Sequence, residues 1–312
     1  MAFNLRGRSL LTLKDLTAEE IAYLLALSHQ VKRERMSGQA LMRFQGKTLA
    51  LIFEKRSTRT RCAFETAFGE EGGHPVFLST ADIQLGAKES VEDTARVLGR
   101  MFDAIQFRGF KQEHVELLAR HAGVPVYNGL TDMYHPTQIL ADLMTVQEAF
   151  GALRGIRMAF VGDGRNNVSR TLMIGCAKMG VDYAVVSPSQ LHPDAETLDY
   201  CRREAEASGA RIEVTADAAQ GVRDAEVIYT DVWVSMGEEG KEAERLKLLR
   251  PYQVDARMMA QTGKKSSIFM HCLPAVKGNE VTAEVIDGPA SRVWDEAENR
   301  KHTIKALMLA TI

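Results

Sequence analysis

Short apolar runs alternate with longer amphipathic segments along most of the chain. Continuous apolar runs are typical of strands in parallel sheets, because helices cover both faces of such a sheet. The pattern predicts strands near 47–54, 76–78, 104–107, 124–127, 156–161, 182–187, 211–215, 226–231 and 267–272. The predicted fold class is therefore α/β, with two doubly wound domains, each built on a central parallel sheet flanked by helices.

Helix-start signals separate these runs. Thr17 and Glu20 form a capping box, Ser57 and Ser90 stand where N-caps are expected, and Pro136 occupies a first helical turn. The pattern predicts helices near 17–35, 57–72, 111–122, 135–150, 168–179, 194–208, 217–223 and 295–311. The long helix beginning at His135 joins the two series of strands, which places a domain boundary near its end.

Composition excludes several classes of function. The 312 residues are 45% hydrophobic and 26% charged, which is ordinary for a globular protein with a substantial core. A net charge of −2 argues against a nucleic-acid partner. No apolar run approaches the ~20 residues of a membrane span, and the N-terminus lacks a signal-peptide core, so a cytoplasmic location is expected. The scattered cysteines predict neither a zinc site nor a disulfide framework; they are Cys62, Cys176, Cys201 and Cys272.

The first polar strand end is Phe53-Glu-Lys-Arg-Ser-Thr-Arg-Thr-Arg61, in which four cations and three hydroxyls directly follow a predicted strand. Ligands of open α/β sheets bind at the carboxyl ends of strands, and a helix N-terminus attracts anions. Arg59 adds a planar fork suited to oxyanions. The spacing is not that of a P-loop. The residues alone leave two interpretations, an anion site or a capped helix with solvated arginines.

Two further strand ends in the first half carry candidate donors. Arg108 ends the strand in Phe107-Arg-Gly-Phe110, where it could equally be a surface arginine. His135 and Gln138 stand at another helix start, and both can donate to a carbonyl oxygen. The alternative for this pair is an N-terminal helix cap.

The second half offers groups suited to an amino acid. Gly162-Asp-Gly-Arg-Asn-Asn167 lacks the third glycine of a dinucleotide-binding turn, which argues against an NAD-dependent dehydrogenase. Asn167 could bind a zwitterion or belong to a turn, and Asp231 could hold an ammonium group. Cys272 could be a polar contact, a nucleophile or a small buried hydrophobe. The basic residues of 241–250 are interpreted as a solvated helix face. Together these features predict group transfer from a small phosphorylated compound to an amine, across an interdomain cleft.

These stretches resemble the aspartate and ornithine carbamoyltransferase family over the whole chain. The motifs that carry the resemblance are Phe53-x-x-x-Ser57-Thr-Arg-Thr60, Gln84-Leu-Gly-x-Lys-Glu-Ser90, Phe107-Arg-Gly-Phe110, His135-Pro-Thr-Gln138, Gly162-Asp-Gly-Arg-Asn-Asn167, Asp231-Val-Trp-Val-Ser-Met-Gly237, His271-Cys-Leu-Pro274 and Glu298-Asn-Arg-x-His302. The Ser-Met-Gly and His-Cys-Leu-Pro segments resemble the ornithine branch, since an aspartate enzyme would need cations where Asp231 stands. The putrescine branch is the nearest alternative within the family.

The resemblance implies a site and a domain organisation. Residues 1–148 are expected to form a carbamoyl phosphate-binding domain, with the C-terminal helix 292–312 packing back onto it, and 149–291 an ornithine-binding domain. The residues expected to bind carbamoyl phosphate are Ser57, Thr58, Arg59, Thr60, Gln84, Arg108, His135, Gln138, Cys272, Leu273 and Arg300. Those expected to bind ornithine are Asn167, Asp231, Ser235 and Met236. Catalytic roles are expected for Arg59, His135, Asp231 and Cys272.

The implied reaction forms citrulline and phosphate from L-ornithine and carbamoyl phosphate, in arginine metabolism. No metal or organic cofactor is expected. Gln84 is expected to enter the site of a neighbouring subunit, which implies a homotrimer or a higher assembly of trimers. A non-catalytic paralogue that binds a ligand and regulates a partner is the rival of a different class; intact Arg59, His135, Asp231 and Cys272 argue against it.

Overall fold

The structure is a computed structural model that describes residues 3–79, 83, 89–234, 240 and 242–312. The chain forms two compact units. Unit 1 consists of Met1–Met144 together with Glu298–Ile312, and unit 2 is Thr145–Ala297. In the described parts of the chain, no helix is both long enough and apolar enough to cross a membrane.

Unit 1 is built on a four-stranded parallel sheet. Its strands are β1 (Thr48–Phe53), β2 (His74–Ser79), β3 (Ala104–Arg108) and β4 (Val126–Leu130). The spatial order β2-β1-β3-β4 makes β1 and β3 neighbours, with Phe53 opposite Arg108 at their carboxyl ends. The β3–β4 register shifts between Phe107 and Arg108, so the pairing is irregular where β3 ends.

Three helices of unit 1 begin at the predicted capping residues Thr17, Ser57 and Ser90. The helices of this unit are α1 (Ala18–Met36), α2 (Thr58–Gly69), α3 (Val91–Leu98), α4 (Gln112–Ala122), α5 (Pro136–Phe150) and α12 (Val293–Thr311), of which α5 and α12 continue into unit 2. Ser57 caps α2 by accepting a hydrogen bond from the backbone N–H of Thr60 at 3.2 Å. Thr17 and Glu20 form the predicted capping box of α1.

The end of α12 is integrated into unit 1. The Tyr127 hydroxyl of β4 lies 2.6 Å from the Thr311 hydroxyl, and the Gly7 N–H donates to the Thr311 carbonyl at 2.8 Å. Ile304, Leu307 and Met308 of α12 are buried. The last residues of the sequence therefore form part of the first core.

Unit 2 contains a five-stranded parallel sheet in the order β7-β6-β5-β8-β9. Its strands are β5 (Arg157–Val161), β6 (Asp182–Val186), β7 (Ile212–Thr215), β8 (Val227–Tyr229) and β9 (Ile268–Met270). Its helices are α6 (Asn167–Met179), α7 (Ala195–Ser208), α8 (Ala218–Val222), α9 (Glu242–Leu249), α10 (Ala256–Gln261) and α11 (Ala283–Ile286). The core includes Val161, Ile228, Phe269 and Trp233, all nearly inaccessible to solvent.

The predicted fold class, α/β with two parallel sheets flanked by helices, is confirmed. Every predicted strand is present, although β8 and β9 are each three residues long and end before Asp231 and His271. The short helices α10 and α11 were not predicted, because six and four residues carry too little periodicity.

One interpretation of the sequence is wrong. Arg245 of α9 does not belong to a solvated face: its side chain is 9% exposed and its Nη1 donates to Asp163 Oδ2 at 2.7 Å. The partner, Asp163, is half-buried and far away in the sequence, so the local charge pattern gives no sign of this ion pair.

Candidate active site

The candidate residues follow the strands at which each sheet reverses its winding. In unit 1, β2 lies on one side of β1 and β3 on the other, so the reversal falls between β1 and β3. In unit 2 it falls between β5 and β8. The carboxyl ends of such strand pairs leave a crevice in which ligands of open α/β sheets bind.

The first turn of α2 supplies hydroxyls and a cation. Ser57 is the N-cap, and Thr58, Arg59 and Thr60 are the first three helical residues. Thr60 is buried, Ser57 and Arg59 are half-buried, and Thr58 is exposed. The free N–H groups and the positive end of the helix dipole favour an anion at this position.

Two buried guanidinium groups converge on the Thr60 hydroxyl. Arg108 Nη1 and Arg300 Nη2 each donate to Thr60 Oγ1 at 3.1 Å, one from the end of β3 and the other from α12. Arg300 Nη1 also donates to Gln138 Oε1 at 2.6 Å, and Gln138 Nε2 donates to Asp142 Oδ1 at 2.8 Å. A hydroxyl and an amide thus hold the two guanidinium groups close together, and guanidinium groups are suited to the oxygens of an anionic ligand.

His135 lies beside these cations at the start of α5 and is 3% exposed. Burial lowers the pKa of His135 well below its usual value, and the charges of Arg300, Arg108 and Arg59 lower it further. The imidazole is therefore neutral at pH 7, and it can donate one N–H to a ligand without bringing a charge.

In unit 2, the Asp231 side chain is hydrogen-bonded to residues of two other chain segments. Asp231 follows β8 and is 8% exposed. Asn166 Nδ2 donates to its Oδ2 at 2.9 Å, and the Cys272 thiol donates to its Oδ1 at 3.2 Å. These two hydrogen bonds fix the orientation of the carboxylate, with the thiol on one oxygen and the amide on the other.

The backbone after β9 places Cys272 and Leu273. Leu273 has a φ of 58°, in the left-handed region that a γ-branched residue seldom adopts. The Leu273 N–H donates to His271 Nδ1 at 2.8 Å, and the His271 N–H donates to Glu296 Oε2 at 3.0 Å. Buried hydrogen bonds therefore hold this strained segment.

Three side chains of types that can bind metal ions also meet here. One ligand atom each of Asp231, His271 and Cys272 lies within 4.8 Å of the others, which is the only such group of three or more in the part of the chain that the structure describes. His271 Nδ1 already accepts from Leu273, and Cys272 already donates to Asp231. The geometry is accounted for by hydrogen bonds within the protein.

The predicted residues fall into two groups. Unit 1 brings together Ser57, Thr58, Arg59, Thr60, Arg108, His135, Gln138 and Arg300. Unit 2 brings together Asp231 and Cys272, with Leu273 next in the chain, and Asn167 is the half-buried first residue of α6. Gln84, Ser235 and Met236 lie outside the described residues.

Asn166 is a site residue that was not predicted. The prediction named its neighbour Asn167. Asn166 is the N-cap of α6, and its side chain accepts from the Val168 N–H at 2.7 Å and donates to Asp231. The sequence does carry a signal for Asn166, because asparagine is a preferred N-cap residue. An asparagine that caps a helix with its side-chain oxygen can still donate through its NH₂ group.

Fold and site together define an α/β protein whose first unit is suited to an anionic ligand. The family model "Aspartate/ornithine carbamoyltransferase, carbamoyl-P binding domain" matches residues 8–148, and "Aspartate/ornithine carbamoyltransferase, Asp/Orn binding domain" matches 154–311. The chain belongs to the aspartate/ornithine carbamoyltransferase family.

Named relatives are similar over the full length. An ornithine carbamoyltransferase of Caldanaerobacter subterraneus subsp. tengcongensis is 67% identical, covering 100% of both chains, and one of Pseudothermotoga lettingae is likewise 67% identical over 100% of both. The solved ornithine carbamoyltransferase of Pyrococcus furiosus superposes with a TM-score of 0.96 at 46% identity, covering 99% of this chain and 98% of that one.

Proposed function

We propose that the chain transfers the carbamoyl group of carbamoyl phosphate to the δ-amine of L-ornithine, giving L-citrulline and phosphate. The observation that carries this proposal is the convergence of Arg108 and Arg300 on Thr60, beside the neutral His135. Such a set of donors suits a ligand that carries both a phosphate and a carbonyl group. The family models and the full-length relatives support the same reaction.

The phosphate of the donor is assigned to the cationic side of unit 1. Its oxygens accept from the backbone at the start of α2 and from the guanidinium forks. The residues assigned to this role are Ser57, Thr58, Arg59, Thr60 and Arg108, with Gln84 from a neighbouring subunit. Gln84 is proposed from the family resemblance alone.

The carbamoyl group is assigned to His135, Gln138 and Arg300. A neutral imidazole can polarise a carbonyl oxygen by donating one hydrogen bond, and it does not protonate the attacking amine. Gln138 is fixed from both sides, because its oxygen accepts from Arg300 and its NH₂ donates to Asp142. Cys272 and Leu273 are proposed to complete the contacts with the carbamoyl group.

The acceptor is assigned to unit 2. Asp231 would hold the amino acid, with Asn167, Ser235 and Met236 as further contacts and Cys272 near the reacting amine. The neutral δ-amine attacks the carbonyl carbon and forms a C–N bond and a tetrahedral oxyanion, which Arg59, Thr60 and His135 stabilise. The C–O bond to phosphate then breaks, and phosphate leaves with the proton that the amine loses. Neither Asp231 nor Cys272 becomes covalently modified, and no step needs a metal or cofactor.

A homotrimer in the cytoplasm is the proposed setting, with functional domains spanning 1–148 and 149–291 and with helix 292–312 assigned to the first. The family resemblance implies the trimer, and the role proposed for Gln84 requires at least a second subunit. Sedimentation velocity of the purified protein measures this directly, and a monomer that is fully active would contradict it.

The test of function offers four amines separately with carbamoyl phosphate: ornithine, putrescine, aspartate and N-acetylornithine. Citrulline formed from ornithine, with little product from the other three, is the expected result. Preferential use of putrescine would move the assignment to the neighbouring branch. Absence of product with all four would support a non-catalytic binding protein.

A further inference from the structure

A carboxylate directly precedes the basic segment that leads from β1 into α2. Glu54 follows the last residue of β1 and precedes Lys55, Arg56 and Ser57, and its side chain is only 12% exposed. A negative charge at this place repels a phosphate, because like charges in a poorly solvated site disfavour each other. Its presence therefore calls for a structural reason.

Glu54 holds the chain on both sides of Gly109. Its backbone N–H donates to the Arg108 carbonyl at 2.8 Å, which extends the β1–β3 pairing by one residue. Its side-chain Oε2 accepts from the Phe110 N–H at 3.0 Å. One residue of the β1 end thus fixes both neighbours of Gly109, and one of these neighbours is Arg108.

Gly109 makes this close approach possible. A Cβ at position 109 would lie 2.2 Å from Glu54 Oε2 and 2.3 Å from the Phe107 ring, closer than any non-bonded contact allows. From the other side, the Gly109 N–H donates to the Leu130 carbonyl and the Asp132 N–H donates to the Phe110 carbonyl, at 3.0 and 2.7 Å. The turn after β3 is therefore held on two sides, by β1 and by the segment after β4.

His114 anchors the second oxygen of the carboxylate. His114 Nδ1 of α4 lies 3.1 Å from Glu54 Oε1, and the imidazole packs edge-on against the Phe107 ring with 6.3 Å between centroids. The rotamer of Glu54 is thus set by a helix, so the carboxylate is a fixed acceptor.

We propose that Glu54 is a positioning residue for Arg108, and that it sets the guanidinium against the first turn of α2. Helix α2 begins four residues after Glu54, and the Glu54 backbone N–H bonds to Arg108. The Glu54 side chain acts by hydrogen bonding. Its negative charge disfavours phosphate binding, and the positioning of Arg108 offsets that effect. This inference rests on the proposed function, since it assigns the affected ligand as the phosphate of carbamoyl phosphate.

The experiment compares Glu54→Ala and Glu54→Gln with Asp103→Ala. Asp103 is a matched control because it ties the same two strands at their opposite ends: Thr48 N–H donates to its Oδ2 at 2.8 Å, and its own N–H donates to the Thr48 carbonyl at 3.0 Å. The readouts are kcat, KM for each substrate, the Kd of inorganic phosphate and the melting temperature.

Glu54→Ala is expected to raise the KM for carbamoyl phosphate and the Kd of phosphate roughly tenfold, the scale of one lost hydrogen bond to a charged group, while the KM for ornithine stays unchanged. Glu54→Gln keeps an acceptor for Phe110 and removes the repulsion, so both constants should equal or fall below those of the unmodified chain. Asp103→Ala should lower the melting temperature and leave both constants unchanged.

Three results would overturn the inference: unchanged phosphate affinity in Glu54→Ala, equal weakening in Glu54→Gln, or the same weakening in Asp103→Ala. Failure of the proposed function is distinguishable, because it means that the unmodified chain makes no citrulline. Phosphate affinity is measured without ornithine, so it tests the position of Arg108 in either case.

Discussion

At the scale of single residues, the proposed mechanism gives different tasks to Arg59 and His135. Arg59 is half-buried in the first turn of α2 and carries a permanent charge, whereas His135 is enclosed and neutral. Charge belongs where negative charge develops in the transition state, and a neutral donor belongs where protonation would compete with the attacking amine.

Arg59→Ala is predicted to lower kcat/KM more than ~10²-fold, the scale for removal of one oxyanion donor. Citrulline formation under steady-state conditions measures this. Arg61→Ala is the control, because Arg61 lies in the same helix but pairs with Glu65 at 2.9 Å and stacks on Phe77. Near-normal turnover by Arg59→Ala would contradict the assigned role.

The neutral state of His135 predicts a stability that depends on pH. Its pKa is lowered in the folded protein, so the unfolded chain takes up the proton first as the pH falls. The free energy of unfolding should therefore decrease as the pH drops below about 6.5, with His302 adding to the trend because burial lowers its pKa as well.

Urea unfolding at pH 7.5 and pH 5.5 measures this trend. In His135→Asn the difference between the two pH values should be smaller, whereas His74→Asn, which alters an exposed histidine, should leave it unchanged. Equal pH dependence in His135→Asn and the unmodified chain would contradict a lowered pKa of His135 in the folded state.

At the scale of elements, helix α12 contacts helix α2 at both ends of α2. Arg300 reaches Thr60 at its start, while Lys305 and Lys301 reach Glu70, the residue just after its last turn, at 3.0 and 3.2 Å. Burial alone would raise the pKa of Glu70, but the two lysines lower it to about 2. Their charges also offset an otherwise unfavourable acid at a helix C-terminus.

Lys305→Met is predicted to destabilise the protein by roughly 1–3 kcal/mol, because Lys305 is 3% exposed and pairs with both Glu70 and Glu71. Lys301→Met removes a more exposed pair and should cost less than about 1 kcal/mol. Chemical denaturation at pH 7 measures both. The Glu70 contribution is present above about pH 4.5 and is lost as the pH falls toward 2, so the gap between Lys305→Met and the unmodified chain should narrow in acid.

The elements were predictable where local rules decide them. The strands that lead to Arg108 and Asp231 are apolar runs, and α2 starts at a serine cap. The sequence alone therefore placed Arg108, Asp231 and Ser57 at strand and helix ends. The pairing of Arg300 with Thr60, or of Glu54 with Phe110, depends on which strands become neighbours, and no local pattern encodes that.

At the scale of the whole molecule, each unit carries its own group of residues that we propose to bind ligand. This predicts that carbamoyl phosphate slows amide hydrogen exchange in unit 1, around 57–60, 107–110 and 135–138. An ornithine analogue that lacks the δ-amine should then add protection around 166–168 and 271–273. Mass spectrometry of peptides measures both, and protection of unit 2 alone by carbamoyl phosphate would contradict the assignment.

The division of unit 1 into two chain segments determines the timing of its biosynthesis. Thr145–Ala297 must be translated between the first segment and the residues that complete it, which takes roughly 8–30 s at typical elongation rates. Throughout that interval Thr60 and Gln138 lack Arg300, and the surface that Ile304, Leu307 and Met308 later cover stays open. A nascent chain therefore exposes apolar surface to chaperones until its final helix leaves the ribosome, and a product truncated before Arg300 would lack one of the residues assigned to the carbamoyl group.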